Sequence, residues 1–170
     1  PLKVSNFTDN KGTAASKYQV APVVRGVEQE KCAEVTRWNN GYLDIPMQPV
    51  INRNGQNVTS NYTLNDVSLA DVNGDGISEF IVKRNSNTAK EYSTNKYDFH
   101  RLECYTITGK RLWYIDLGPN MISGPDEQYD IVGYDWDGDG KAEMLLRGAD
   151  NMIIHKADGV TVEIGNMNFD

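Results

Sequence analysis

Two nine-residue acidic loops constrain this chain more than anything else in it. They read Asp71-Val-Asn-Gly-Asp-Gly-Ile-Ser-Glu79 and Asp135-Trp-Asp-Gly-Asp-Gly-Lys-Ala-Glu143, and they begin 64 residues apart. Val67-Ser-Leu-Ala runs into the first and Phe80-Ile-Val-Lys leaves it. Ile131-Val-Gly-Tyr runs into the second and Met144-Leu-Leu-Arg leaves it. A hairpin pattern then follows each loop. The first is Leu102-Glu-Cys-Tyr-Thr-Ile, a turn at Thr108-Gly-Lys, and Leu112-Trp-Tyr-Ile-Asp-Leu. The second is Met152-Ile-Ile-His, a turn at Ala157-Asp-Gly, and Val160-Thr-Val-Glu-Ile. Each repeat is therefore strand, acidic loop, strand, strand, turn, strand. Four antiparallel strands per repeat is the unit of a β-propeller blade. No stretch longer than ten residues carries helical periodicity, so the expected class is all-β.

The loops have the donor pattern of a calcium site. A hard divalent cation takes six to eight oxygens, and carboxylates at positions 1, 3 and 5 of a tight loop can aim at one point while position 7 adds a carbonyl. Those positions are Asp71, Asn73, Asp75 and Ile77 in loop one, and Asp135, Asp137, Asp139 and Lys141 in loop two. Gly76 and Gly140 permit the turn. Glu79 and Glu143, at position 9, take the place of the last ligand that a helix supplies in an EF-hand. The bland alternative is an acidic turn held by its own Asx hydrogen bonds. Repetition at equivalent places favours Ca2+, two ions in all, each clamping a strand-to-strand loop.

The chain has 170 residues and a net charge of −7, which argues against nucleic acid as a partner. No run approaches the ~20 apolar residues of a membrane helix. Before the repeats, Tyr18, Val20, Pro22 and Val24 alternate, Arg25-Gly26 marks a hairpin turn, and Cys32 to Trp38 forms the returning strand. Residues 39–61, with Pro46 and Pro49, read as an extended connector. Of the two cysteines, Cys104 sits in an apolar alternation and reads as free and buried; whether Cys32 pairs with it stays open. Sequons stand at Asn6, Asn57 and Asn61.

Three segments carry a resemblance to a known family. They are Tyr62-Thr-Leu-Asn-Asp-Val-Ser-Leu-Ala-Asp-Val-Asn-Gly-Asp-Gly-Ile-Ser-Glu-Phe-Ile-Val-Lys83, Gly109-Lys-Arg-Leu-Trp-Tyr-Ile-Asp-Leu-Gly-Pro-Asn120, and Tyr134-Asp-Trp-Asp-Gly-Asp-Gly-Lys-Ala-Glu143. Together they resemble the start of the catalytic domain of rhamnogalacturonan lyases, polysaccharide lyase family 11. The resemblance implies a fibronectin-III-like β-sandwich domain closing over residues 1–38. It implies two four-stranded propeller blades over 62–170, about 62–118 and 129–165. It also implies a fragment of a larger calcium-rich propeller, and a parent enzyme that cleaves the pectic polysaccharide rhamnogalacturonan I by β-elimination. Such an enzyme is expected to be secreted, or at the cell surface or periplasm of a bacterium.

In that family an Asn matching Asn65 lines the substrate groove. An Asp soon after the second strand does likewise, and this chain has Asn85 there. The family's Gly-Ala-His stretch before the second loop reads Gly124-Pro-Asp-Glu. Lys83 and Arg84 could reach a uronate carboxylate, but as strand-end charges they read first as solvated. His100 and His155 read as surface or packing residues. The fragment is expected to be inactive by itself. The second reading of the parent is a non-catalytic, calcium-stabilised propeller that binds carbohydrate or protein.

Overall fold

The computed structural model describes residues 6–89, 97–121 and 131–168. Part of the polar insertion Arg84–Asp98 and all of Gly124-Pro-Asp-Glu lie outside these. Two compact units divide at Asp44 and Ile45. In the described residues every regular element but one is a strand; the exception is a 3-10 turn at Thr59–Asn61.

The smaller unit is a pair of interrupted hairpin ladders. Strands β1 (Lys17–Tyr18) and β4 (Val35–Thr36) pair antiparallel, as do β2 (Val23–Val24) and β3 (Val27–Glu28). Arg25 and Gly26 turn the inner ladder, with φ of 50° and 84°. Two positive φ values in a two-residue loop match the right-handed twist of the flanking strands.

The larger unit holds a six-stranded antiparallel sheet in the order β12-β11-β8-β7-β6-β5 and a separate ladder, β9–β10. The strands are β5 (Tyr62–Ala70), β6 (Glu79–Ser86), β7 (Arg101–Tyr105), β8 (Arg111–Asp116), β9 (Ile131–Tyr134), β10 (Glu143–Leu146), β11 (Met152–Lys156) and β12 (Thr161–Ile164). The eight strands are thus dealt as six and two, where the repeat led us to expect four and four. The difference lies at β11, which pairs with β8 and not with β10, in register from Ile153 opposite Asp116 to Lys156 opposite Trp113.

One face of the sheet is apolar. Alternation puts Ile81, Leu102, Cys104, Ile115 and Met152 on it, and they form one core with Ala70 and with Ile131 of the β9–β10 ladder. Met144 and Leu146 pack against this core from β10. Both cysteines are free thiols, Cys32 exposed and Cys104 buried. Burial pushes the Cys104 thiol up to about 12, so it is unreactive packing.

The other face is ionic, and residues 48–53, within the stretch read as an extended connector, cover it. Val50 is fully buried. Arg84 Nη1 donates to Gln48 O at 2.7 Å and to Glu103 Oε2 at 3.1 Å. Arg101 Nη2 donates to Ile51 O, and Tyr105 donates from its hydroxyl to Glu103. Arg53 Nη2 meets Asp116 Oδ1 at 2.8 Å. Glu103, Asp116 and Arg101 have at most 2% of their surface exposed. Charges this deep cost several kcal/mol each unless paired, and losing one partner costs about 3–5 kcal/mol. The expectation of solvated Lys83 and Arg84 is therefore overturned: they are 3% and 5% exposed. β6 stays covered on both faces through Ser86, so its charged residues are buried along with its apolar ones.

His155 lies on the same ionic face, its ring stacked on Tyr114 at 4.1 Å between centroids. Burial lowers its pKa below the usual value near 6.5; Asp116 opposes this, and Arg101, Arg53 and Arg111 reinforce it. As pH falls through ~6.5 the unfolded chain takes the proton first, so stability present above that pH is lost below it. We expect the melting temperature to fall between pH 7 and pH 5.5, and to fall less in His155→Gln. Parallel curves for the two proteins would show that another group governs the change.

Candidate metal centre and groove strand

Each acidic loop is built around its first aspartate. Asp71 Oδ1 accepts from the N–H of Gly74 (2.7 Å) and Asp75 (3.2 Å), and Oδ2 accepts from Gly76 (2.7 Å). Asp135 repeats this with Gly138 (2.7 Å), Asp139 (3.1 Å) and Gly140 (2.9 Å). Position 3 accepts from the N–H of position 5 in both loops, Asn73 from Asp75 and Asp137 from Asp139. The position 5 carboxylates, Asp75 and Asp139, accept from the N–H of Ile77 and Lys141 at 2.8 Å. The closing glutamates fold back the same way: Glu79 Oε2 takes Val72 N, and Glu143 Oε2 takes Trp136 N, both at 3.0 Å. The loops also touch, through Ala142 N donating to Asp71 O at 2.7 Å.

The two sites differ at position 3. In loop two, Asp135, Asp137 and Glu143 bring one carboxylate oxygen each within 4.8 Å of the others. Asp139, expected as a ligand, is not in that group. In loop one Asn73 Nδ2 instead donates to Glu79 Oε1 at 2.8 Å. Glu79 is 1% exposed, and burial raises its pKa; the Val72 N–H opposes this, and the charges of Asp75 and Asp71 add to it. Asp71 behaves oppositely. Loss of water would raise its pKa, but the N–H groups of Gly76, Gly74, Asp75 and Asn73 outweigh that and hold it low. An all-oxygen set of crowded carboxylates fits a hard cation such as Ca2+ and not a thiophilic metal.

Beside loop one, β5 carries a bulge. Leu64 pairs with Arg84 and Val67 with Val82, so Asn65 and Asp66 together oppose Lys83. A bulge of two residues against one re-aims its side chains and is common next to active sites. Asn65 is half-buried there. Lys83 Nζ meets Asp66 Oδ2 at 3.2 Å, and Asp66 is itself exposed. Asn85, opposite Thr63, is 6% exposed. The structure thus gathers Asn65, Asp66 and Lys83 about one bulge. Sequence reasoning had Asn65 and Asn85 but missed the Lys83–Asp66 pair. Alternation along β6 was the available signal, because Lys83 shares parity with core residue Ile81.

Residues 42–170 match the description "Rhamnogalacturonan lyase family 11, C-terminal domain", and residues 1–38 match "Rhamnogalacturonan I lyases beta-sheet domain". The chain belongs to rhamnogalacturonan lyase family 11. It is 36% identical to the rhamnogalacturonan endolyase YesW of Bacillus subtilis over 100% of its own length and 27% of that protein. Identity to the rhamnogalacturonan exolyase YesX of the same organism is also 36%, over 86% of this chain and 24% of the exolyase. Among solved structures, rhamnogalacturonan lyase YesW superposes with a TM-score of 0.75 at 34% identity, covering all of this chain and 29% of the other. A Bacillus licheniformis rhamnogalacturonan lyase superposes with a TM-score of 0.73 at 32% identity, over 96% of this chain and 28% of that one. This family 11 chain thus spans about a quarter of its relatives.

Glycines in the loops allow the geometry to be probed. Gly74 and Gly138 both have positive φ, 79° and 78°. A Cβ at Gly138 would meet nothing within 4 Å, whereas one at Gly74 would lie 3.1 Å from Lys141 Cγ and 3.3 Å from Gly140 O. Gly138→Ala should therefore cost only the backbone penalty, ~1 kcal/mol. Gly74→Ala should cost more, because the second loop blocks it. Equal losses by chemical denaturation would contradict the contact between loops.

Proposed function

We propose that this chain is part of a secreted rhamnogalacturonan lyase that cleaves rhamnogalacturonan I by β-elimination, with each acidic loop holding one structural Ca2+. The single observation behind this reading is the end-to-end match to the endolyase, running through the bulged strand and both loops that follow it. The substrate is a plant cell-wall polymer, which favours export to the cell surface, periplasm or medium.

β-Elimination needs the uronate carboxylate neutralised and the C5 proton removed. Lys83 is the residue here best suited to the first task. It is a buried cation whose carboxylate partner, Asp66, faces water, so an incoming uronate can share it. Asn65, on the same bulge, is suited to orient sugar hydroxyls by hydrogen bonds. Asn85 cannot serve as a base, since an amide has no proton-accepting role near neutral pH. The base must come from elsewhere in the full-length protein, and the 170-residue chain alone should show no turnover. A full-length protein given rhamnogalacturonan I and Ca2+ should release oligosaccharides with unsaturated ends that absorb in the ultraviolet. Binding of the polymer without such products would favour the other reading, a carbohydrate-binding propeller without activity, which the amide at Asn85 supports.

For the metal, Asp71, Asn73, Asp75, the Ile77 carbonyl and Glu79 would hold one ion, and Asp135, Asp137, Asp139, the Lys141 carbonyl and Glu143 the other. A bound Ca2+ relieves the mutual repulsion of the loop carboxylates. A cation at ~100 times its Kd stabilises the fold by about 2.7 kcal/mol per site. Chelation with EDTA should lower the melting temperature and added Ca2+ restore it, with Asp135→Asn abolishing part of the difference. A melting curve indifferent to EDTA would refute structural calcium.

A further inference from the structure

On the ionic face of the sheet, across β8 and β11, lies a polar cleft of about 320 Å³. Its chemistry is one-sided. Lys110, Arg111 and Lys156 line it, with Gln48, Tyr114 and His155 between them, and no carboxylate is among its lining residues. This concentration of positive charge stands in a chain of net charge −7. Among the described residues, neither Lys110 nor Lys156 makes an ion pair.

The fold builds this cleft through a second bulge. Cys104 pairs with Trp113 and Tyr105 with Arg111, leaving Leu112 as the extra residue. Without it, Arg111 and Tyr114 would point to opposite faces, being an odd number of positions apart along the strand. With it, the Arg111 guanidinium lies 4.5 Å from the Tyr114 ring centroid. Tyr114 in turn stacks on His155. Arg111 is only loosely satisfied inside the protein. Its Nη1 has no hydrogen bond, and its nearest carboxylate oxygen, Glu103 Oε1, is 3.9 Å away. Glu103 is already engaged by Arg84 and Tyr105. A planar cation held by stacking, its side chain a quarter exposed and two lysines beside it, is suited to a carboxylate.

We propose that this cleft binds the carboxylate of an acidic sugar, as a carbohydrate-binding site separate from the Asn65–Lys83 bulge. Its volume lies at the lower end for small-ligand pockets, enough for a terminal or exposed uronate and not for a long stretch of polymer. The identification of the sugar as a galacturonate rests on the lyase reading; the carboxylate specificity rests on the cleft alone.

The test is calorimetric titration of the chain, in Ca2+ and low salt, with a galacturonate disaccharide, a rhamnose–galacturonate disaccharide, the neutral galactose disaccharide, and inorganic phosphate. Saturable binding of an acidic disaccharide is expected, about tenfold or more tighter than the neutral one and weakened by salt. The better of the two acidic ligands names the polymer. Lys110→Gln with Lys156→Gln, surface changes that leave the sheet intact, should weaken binding about tenfold without altering the EDTA-dependent shift in melting temperature. Arg111→Lys should weaken it while preserving charge. Equal binding of the neutral sugar, equal or tighter binding of phosphate, no saturable binding, or undiminished binding by the lysine variant would each overturn the proposal. These outcomes are independent of elimination: a full-length protein that releases no unsaturated ends yet binds uronate here would sink the lyase reading and leave the cleft standing.

Discussion

In each repeat a single aspartate, Asp71 or Asp135, gathers three backbone N–H groups of a glycine-rich turn onto its two oxygens. That interaction decides where β5 ends and β6 begins, and likewise for β9 and β10. Because the two turns share this backbone pattern, Glu79 and Glu143 each fold back onto the N–H of position 2 from the start of the exiting strand. The cost is a cluster of negative charge, most acute at Glu79, which is buried against Asp71 and Asp75. The geometry that fixes the turn is thus the same geometry that crowds the carboxylates.

From the first loop outward, the strand that leaves it carries two kinds of burial at once. Ile81 joins the apolar core on one face of β6, and Arg84 enters the ionic layer on the other. The ionic layer is closed by residues 48–53, whose backbone carbonyls accept from Arg84 and Arg101. Paired charges at this depth stabilise little in net terms but tolerate few alternative partners. They fix how the segment before β5 lies on the sheet. The two bulges then act on this frame, one setting Asn65 and Asp66 opposite Lys83, with Asp66 meeting it, the other turning Arg111 toward Tyr114.

These placements bear on function in different ways. The bulge on β5 brings a cation, Lys83, beside an exposed carboxylate, Asp66, and carries the half-buried amide of Asn65. Membership of the family therefore says more about the substrate than the residues of this quarter-length chain say about the chemical step. The cleft on β8 and β11 adds positive charge where the chain otherwise repels a polyanion.

Much was legible in the sequence because it depends on local chemistry. The all-β class, the strand order around each loop, the hairpin at Arg25-Gly26 and the buried free thiol of Cys104 follow from alternation, turn residues and spacing. So do the loop positions of Asp71 and Asp135, since an Asx-type turn closes within a few residues. What sequence alone left undecided involves partners far apart in the chain. The pairing of β11 with β8 gathers six strands in one sheet, and no repeat pattern states which strand edge β11 takes. Lys83 and Arg84 looked solvated because local composition does not reveal that residues 48–53 and the β5 bulge would enclose them. The convergence of Asp135, Asp137 and Glu143 without Asp139, and the meeting of Lys110 and Arg111 with Lys156, likewise arise only when the chain is folded: side-chain direction is set by register and bulges, and those are decided by packing.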